Sequence, residues 1–117
     1  MKYKTKPNQN DRQHFNAWQI ATQGGQLSRV SVSKYRKAYR AAFLLNWLND
    51  YADKCAEYDN DAERYTEEGS EKRARRLEQR EHAAAEALAP LGLVFSCCSH
   101  LYGIKTKNKN KEIYIKY

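Results

Sequence analysis

With 117 residues, 30% of them charged, and a mean hydropathy of −0.97, the chain must build its core from a few well-placed stripes, so a single modest domain over residues 1–117 is expected. The 21 Lys and Arg outnumber 14 Asp and Glu, and the resulting +7 favours anionic partners without choosing among nucleic acid, acidic protein and lipid surface. No apolar run approaches the roughly 18 residues of a membrane span, nothing resembles a secretory leader, and three cysteines make no disulfide framework, so a reducing, cytoplasmic setting without membrane contact is expected.

Residues 1–9 are basic and alternate Tyr3 with lysines and Thr5, the pattern of a free arm or of an edge strand ending before Pro7. A first helix is predicted over residues 10–23. Asn10 can cap it, Gln13 sits in the capping-box position, and Phe15, Trp18 and Ala21 give it one apolar side. Gly24-Gly25 ends it, because glycine accepts the left-handed conformation cheaply. Leu27, Val30 and Val32 then form a brief strand or plug the core.

A long helix is predicted over residues 33–68, capped by Ser31 or Ser33 and free of Pro and Gly. Ala38, Ala41, Leu45, Leu48, Ala52, Cys55 and Ala62 fall on one seam, with Leu44, Tyr51, Tyr58 and Tyr65 in a second line at seven-residue steps. Such a helix would be roughly 50 Å long. Its corner is placed at Gly69. Tyr58-Asp59-Asn60-Asp61, a run of turn-formers, is the rival break, and the tyrosine line continuing to Tyr65 favours the later corner.

A third helix over residues 70–89 presents Ala74, Leu77, Ala84 and Leu88 inward, with Ala83, Ala85 and Ala87 alongside, and Pro90 and Gly92 stop it. Residues 93–117 change character. Val94, Phe95, Leu101, Tyr102, Ile104, Ile113, Tyr114, Ile115 and Tyr117 read as two or three antiparallel strands, with Thr106 to Lys111 as a turn. The expected fold class is α+β: a long antiparallel helical hairpin, a short N-terminal helix and a small C-terminal antiparallel sheet.

Charge is partitioned along the chain. Residues 1–40 carry +8, residues 41–69 carry −6, residues 70–89 carry +1 and residues 90–117 carry +4. In a hairpin cornered at Gly69, Lys72, Arg73, Arg75 and Arg76 lie beside Glu57, Asp61, Glu63, Glu67 and Glu68 and are satisfied there. Lys34, Arg36, Lys37 and Arg40 differ, because they occupy the first turns of the long helix, where the macrodipole favours acids. With Tyr35 interleaved, and with Lys2, Lys4, Lys105, Lys107 and Lys109 at the same end, they would form a surface that contacts phosphates and stacks bases. The competing reading is an ordinary basic solvent surface.

The expected function is therefore a small non-enzymatic protein that binds DNA or RNA without sequence preference. The alternative is a protein-interaction module, a compact inhibitor or adaptor docking on a larger nucleic-acid-handling complex through Tyr51, Tyr58 and Tyr65, with Phe43 and Trp47 beside them. A hairpin that outreaches its sheet also leaves room for a homodimer. A helix-turn-helix fits poorly, since the linker before the long helix is too long. Glu78, His82 and Glu86 share a helix face, yet a metal site needs ligands converging from other helices. Cys97-Cys98-Ser99-His100 lacks zinc spacing and any orienting third group for a nucleophile, and no phosphate-binding glycine loop occurs. Neither cofactor nor metal is expected.

Overall fold

The computed structural model describes residues 3–7, 11–23, 28–98, 101–106 and 112–113. Strand β1 (Tyr3–Thr5) pairs antiparallel with β2 (Arg29–Ser31), Tyr3 opposite Ser31, so the basic N-terminus is an edge strand. Between them runs α1 (Arg12–Thr22). Its N-cap is Asp11, whose carboxylate accepts from the backbone N–H of His14 at 3.2 Å. Asn10, expected in that role, lies outside the described residues, as do Gly24, Gly25 and Leu27. The left-handed residue that closes α1 is Gln23, at φ 53°, one position before the glycines expected to do so.

Helix α2 (Val32–Asp59) is the spine, about 42 Å long at 1.5 Å per residue. It packs against α1 and against α3 (Glu67–Leu88). The hairpin corner is therefore the earlier one, and the expectation of a helix to residue 68 turning at Gly69 is corrected. Asp61 explains the break. Its carboxylate accepts from Glu63 N at 3.0 Å and from Arg64 Nε at 2.6 Å, and its carbonyl accepts from the N–H groups of Arg64 and Tyr65. These local bonds replace the helical ladder. Thr66 then caps α3 by accepting from Gly69 N at 3.0 Å, with Glu67 and Glu68 in the first turn, where the dipole favours acids. Gly69 belongs to that first turn rather than to a corner.

A short 3-10 turn (Ala89–Leu91) and the left-handed Gly92 lead into a three-stranded antiparallel meander, β3 (Leu93–Cys98), β4 (Leu101–Thr106) and β5 (Glu112–Ile113). Leu93 stands opposite Thr106, and Ile104 opposite Ile113. The fold is α+β. Of the turn predicted from Thr106 to Lys111, Thr106 ends β4 and residues 107–111 lie outside the described residues, as do Ser99, His100 and the strand residues Tyr114, Ile115 and Tyr117.

The core gathers Ala17, Trp18, Ile20 and Ala21 of α1, Val30, the α2 seam of Ala38, Ala41, Ala42, Leu45 and Leu48, then Ala84, Leu88, Leu93 and Ile104. Trp18 is its largest side chain, and truncating such a ring to alanine costs roughly 3–5 kcal/mol. Small residues on α2 and α3 let the helices approach this bulk closely. Ala74, expected on the inner face of α3, and Ala85, expected alongside it, are exposed instead. Polar contacts fix the register of α1 on α2: buried Asn16 donates to Asn46 Oδ1 at 3.1 Å, and Asn46 donates to Gln13 Oε1 at 3.2 Å.

Candidate nucleic-acid interface

Ser31 starts α2, its hydroxyl accepting from Lys34 N at 3.3 Å. The β1–β2 pair sits immediately before this cap and brings Lys4 Nζ to 5.1 Å from the centre of the Tyr35 ring. Downstream, Lys34, Arg36, Lys37 and Arg40 are all exposed. None of the four side chains makes an ion pair or hydrogen bond among the described residues. Helical phase sorts them further. At 100° per residue, Arg36, Arg40, Phe43 and Trp47 share a stripe roughly 60° wide, with Lys37 about 100° round from Arg36 and Lys34 about 160° round, outside the stripe and reaching solvent from the first turn of the helix. Contacts from Tyr35, Asn46 and Asp50 to α1 border this stripe on one side, and α3, packed along α2 with Arg80 reaching the Trp47 carbonyl, borders it on the other.

Tyr35 does not belong to this surface. It is 6% exposed, its hydroxyl lies 2.6 Å from His14 Nδ1, and its ring is parallel to that imidazole. Burial, reinforced by the nearby Asp11 and Tyr39, pushes its hydroxyl up to about 12. It joins α1 to α2 and cannot stack a base. Lys105 lies on β4 between buried Ile104 and Thr106, so strand alternation turns it away from the core. No ion pair or ring contact among the described residues ties it to the start of α2. Lys2, Lys107 and Lys109 lie outside the described residues.

Of the three tyrosines singled out as a partner face, two are engaged within the helical hairpin and one is exposed. Tyr58 is flanked by the guanidinium groups of Arg64 at 4.6 Å and Arg73 at 5.2 Å from its ring centre, which pins the hairpin corner. Tyr51 is half-buried beneath Arg80, 4.1 Å from its ring centre. Tyr65 belongs to the turn after α2 and is 47% exposed.

The exposed aromatics of the site are Phe43, at 55%, and Trp47, at 42%. Sequence reasoning grouped them with the tyrosines. The signal that joins them to the cations was present, as the i, i+4, i+7, i+11 spacing of Arg36, Arg40, Phe43 and Trp47. Arg80 of α3 holds Trp47 in place, its guanidinium 3.8 Å from the indole centre and its Nη1 donating to the Trp47 carbonyl at 3.1 Å.

Other chemistry finds little support. Among the described residues no group of three or more His, Cys, Asp or Glu side chains is placed to hold a metal ion. Among the described residues His82 pairs with Glu78 alone, at 3.9 Å on an exposed face. The buried thiol of Cys55 is pushed up by its burial, away from the reactive thiolate. A cleft of about 320 Å³ between α3 and β3 is lined by Ala85, Ala89, Leu93, Val94 and Phe95, which bring no side-chain polar group. Among the described residues no helix is long and apolar enough to cross a membrane. Comparison of the chain with protein-family models, curated protein sequences and solved structures gave no match.

Proposed function

We propose that this chain is a small non-enzymatic nucleic-acid-binding protein that grips the phosphate backbone of DNA or RNA, without sequence preference, at the basic start of α2. One observation carries the reading: four exposed cations, none with a carboxylate partner among the described residues, follow one another between Lys34 and Arg40 near the start of α2, and the first of them, Lys34, stands in the first turn, where the helix field disfavours it. An anion from outside relieves that field. Arg12, Arg64, Lys72 and Arg73 each have a carboxylate within 3.4 Å, whereas the exposed Lys54, Arg75 and Arg76 have no ion pair among the described residues but do not follow one another at the start of a helix.

Backbone contact positions a nucleic acid without reading it, so its signature is salt dependence. Four phosphate contacts give a slope of log affinity on log salt between roughly −2.8 and −3.6, or about a 50- to 150-fold loss between 50 and 200 mM salt. A gel shift with generic DNA and RNA should show that loss. Changing Lys34, Arg36, Lys37 and Arg40 together to Glu should abolish the shift. A shift that ignores salt, or that persists in the fourfold variant, refutes the proposal.

The second reading, an inhibitor or adaptor docking on a larger nucleic-acid-handling complex, draws on the exposure of Phe43, Trp47 and Tyr65. Under it the fourfold variant still captures its protein partner and Tyr65→Ala does not.

A further inference from the structure

Building on the phosphate-binding reading, we infer that the exposed stripe of α2 is a platform for single-stranded nucleic acid, with Phe43 and Trp47 stacking bases and Arg36 and Arg40 meeting the phosphates beside them. Each half of the stripe has a cost that a single strand removes. Arg36 and Arg40 are like charges four residues apart on one helix face, exposed and without a carboxylate partner among the described residues. Phe43 and Trp47 are large apolar rings left in water, at 55% and 42% exposure, although the core lies on the opposite side of the same helix. A polyanion without bases would answer only the first, and an apolar protein surface only the second.

A duplex answers the pair poorly. Its bases already stack on one another, so exposed ring faces gain nothing from it unless base pairs are opened. The stripe is also narrow, bordered by α1 and α3, and a helix hemmed in on both sides enters a groove less readily than a free recognition helix. A single strand can lie along it. From Arg36 to Trp47 the stripe runs about 17 Å along the axis, with Phe43 and Trp47 about 6 Å apart, room for a few nucleotides in extended form.

Trp47 is held ready for this role. Arg80 lies over its ring and over Tyr51 and bonds its carbonyl, so the indole loses little further freedom on stacking. That guanidinium also adds positive charge beside the incoming strand. Asp50, three residues after Trp47 on α2, is paired with Arg12 at 3.4 Å, while exposed Asp53 and Glu57 close the distal end to a polyanion.

The test titrates the full chain with three fluorescein-labelled probes of about 20 nucleotides at low salt, read by anisotropy: oligothymidylate, an abasic strand with the same phosphates, and a duplex. Oligothymidylate should bind at least about tenfold more tightly than either of the others, a stacked base being worth roughly 5- to 150-fold by alanine substitution. Phe43→Ala should remove most of that advantage and leave duplex affinity unchanged. Its side chain lies outside the core, so folding, checked by circular dichroism, is retained. Oligothymidylate should also quench indole emission in the native chain but not in Trp47→Phe, whose remaining Trp18 is 2% exposed. Equal affinity for all three probes, unmoved by Phe43→Ala, overturns the stacking platform and leaves the phosphate grip standing. Binding to none of them overturns both.

Discussion

Lys34→Glu separates function from stability within one side chain. Lys34 is the third residue of α2, its N–H bonded to the Ser31 cap and its ammonium exposed without a carboxylate partner among the described residues. The positive end of the helix dipole repels that ammonium and would attract a carboxylate in its place. Ser31 stands opposite Tyr3 in the β1–β2 ladder, so no reciprocal capping-box bond is counted, and the field alone supplies the gain. Removing one unfavourable charge and adding one favourable charge is worth roughly 1 kcal/mol, a rise in Tm of about 4 °C for a chain of this size. The same change deletes one phosphate contact and adds a repulsive charge. The salt slope of nucleic-acid binding should become shallower by about 0.7 to 0.9, and affinity at low salt should fall about tenfold. Thermal unfolding followed by circular dichroism and anisotropy titration at several salt concentrations measure both. Arg75→Glu is the control, since Arg75 is exposed in α3, away from the proposed site, and changes net charge equally. A variant that is less stable than the parent refutes the dipole argument. Equal weakening by Arg75→Glu refutes the site in favour of bulk charge.

Two further predictions concern the fold. Glycine inside a helix normally gives way to alanine with a gain near 1 kcal/mol, but a Cβ at Gly69 would stand 2.7 Å from the capping hydroxyl of Thr66, and losing that cap costs about as much. Gly69→Ala should therefore leave the chemical denaturation midpoint unchanged or lower it, and a clear rise would show that Thr66 is not an energetically useful cap. Tyr35, whose hydroxyl is pushed up to about 12 from an ordinary value of 10.0, makes folding more costly at high pH. The unfolded chain releases that proton near its ordinary value while the folded chain retains it, so the contribution is intact below pH 10 and is lost as pH rises towards 12. The stability difference between the native chain and Tyr35→Phe should shrink between pH 9 and pH 11.5; a difference that stays constant refutes the assignment.

Much of the architecture was legible because it rests on periodicity. The seam from Ala38 to Leu48, the Ser31 cap, the edge strand at Tyr3–Thr5 and the strands after Gly92 follow from spacing and turn residues. The corner was misplaced because Tyr65 extends a seven-residue step by accident of the turn. Thr66-Glu67-Glu68, a cap followed by two first-turn acids, was the stronger signal for a helix start. Tyr35 was grouped with its charged neighbours in sequence, although it stands three and seven residues before Ala38 and Ala42 on the buried face. Asn16 and Asn46 were illegible for another reason. A buried polar side chain declares itself only through its partner, and the pairing across 30 residues depends on how α1 lies on α2.

The position of the corner also bears on why the basic end stays unmatched. Ending α2 at Asp59 gathers the acids from Glu57 to Glu68 at the far tip, where Arg64 takes Asp61 and Glu57, Arg73 takes Asp59, and Lys72 takes Glu68. Residues 1–40 contain a single acid, Asp11, and it is engaged in capping α1. Lys34 and Asp59 are separated by about 38 Å of helix, several times the roughly 10 Å over which exposed charges interact at moderate salt. Tip acids therefore cannot neutralise the cations at the start of α2 within one molecule. The charge pattern instead gives the chain a polarity, attracting a polyanion to one end of the spine and repelling it from the other. A strand lying on Arg36, Arg40, Phe43 and Trp47 would consequently stop before Asp53, which limits each molecule to a short contact.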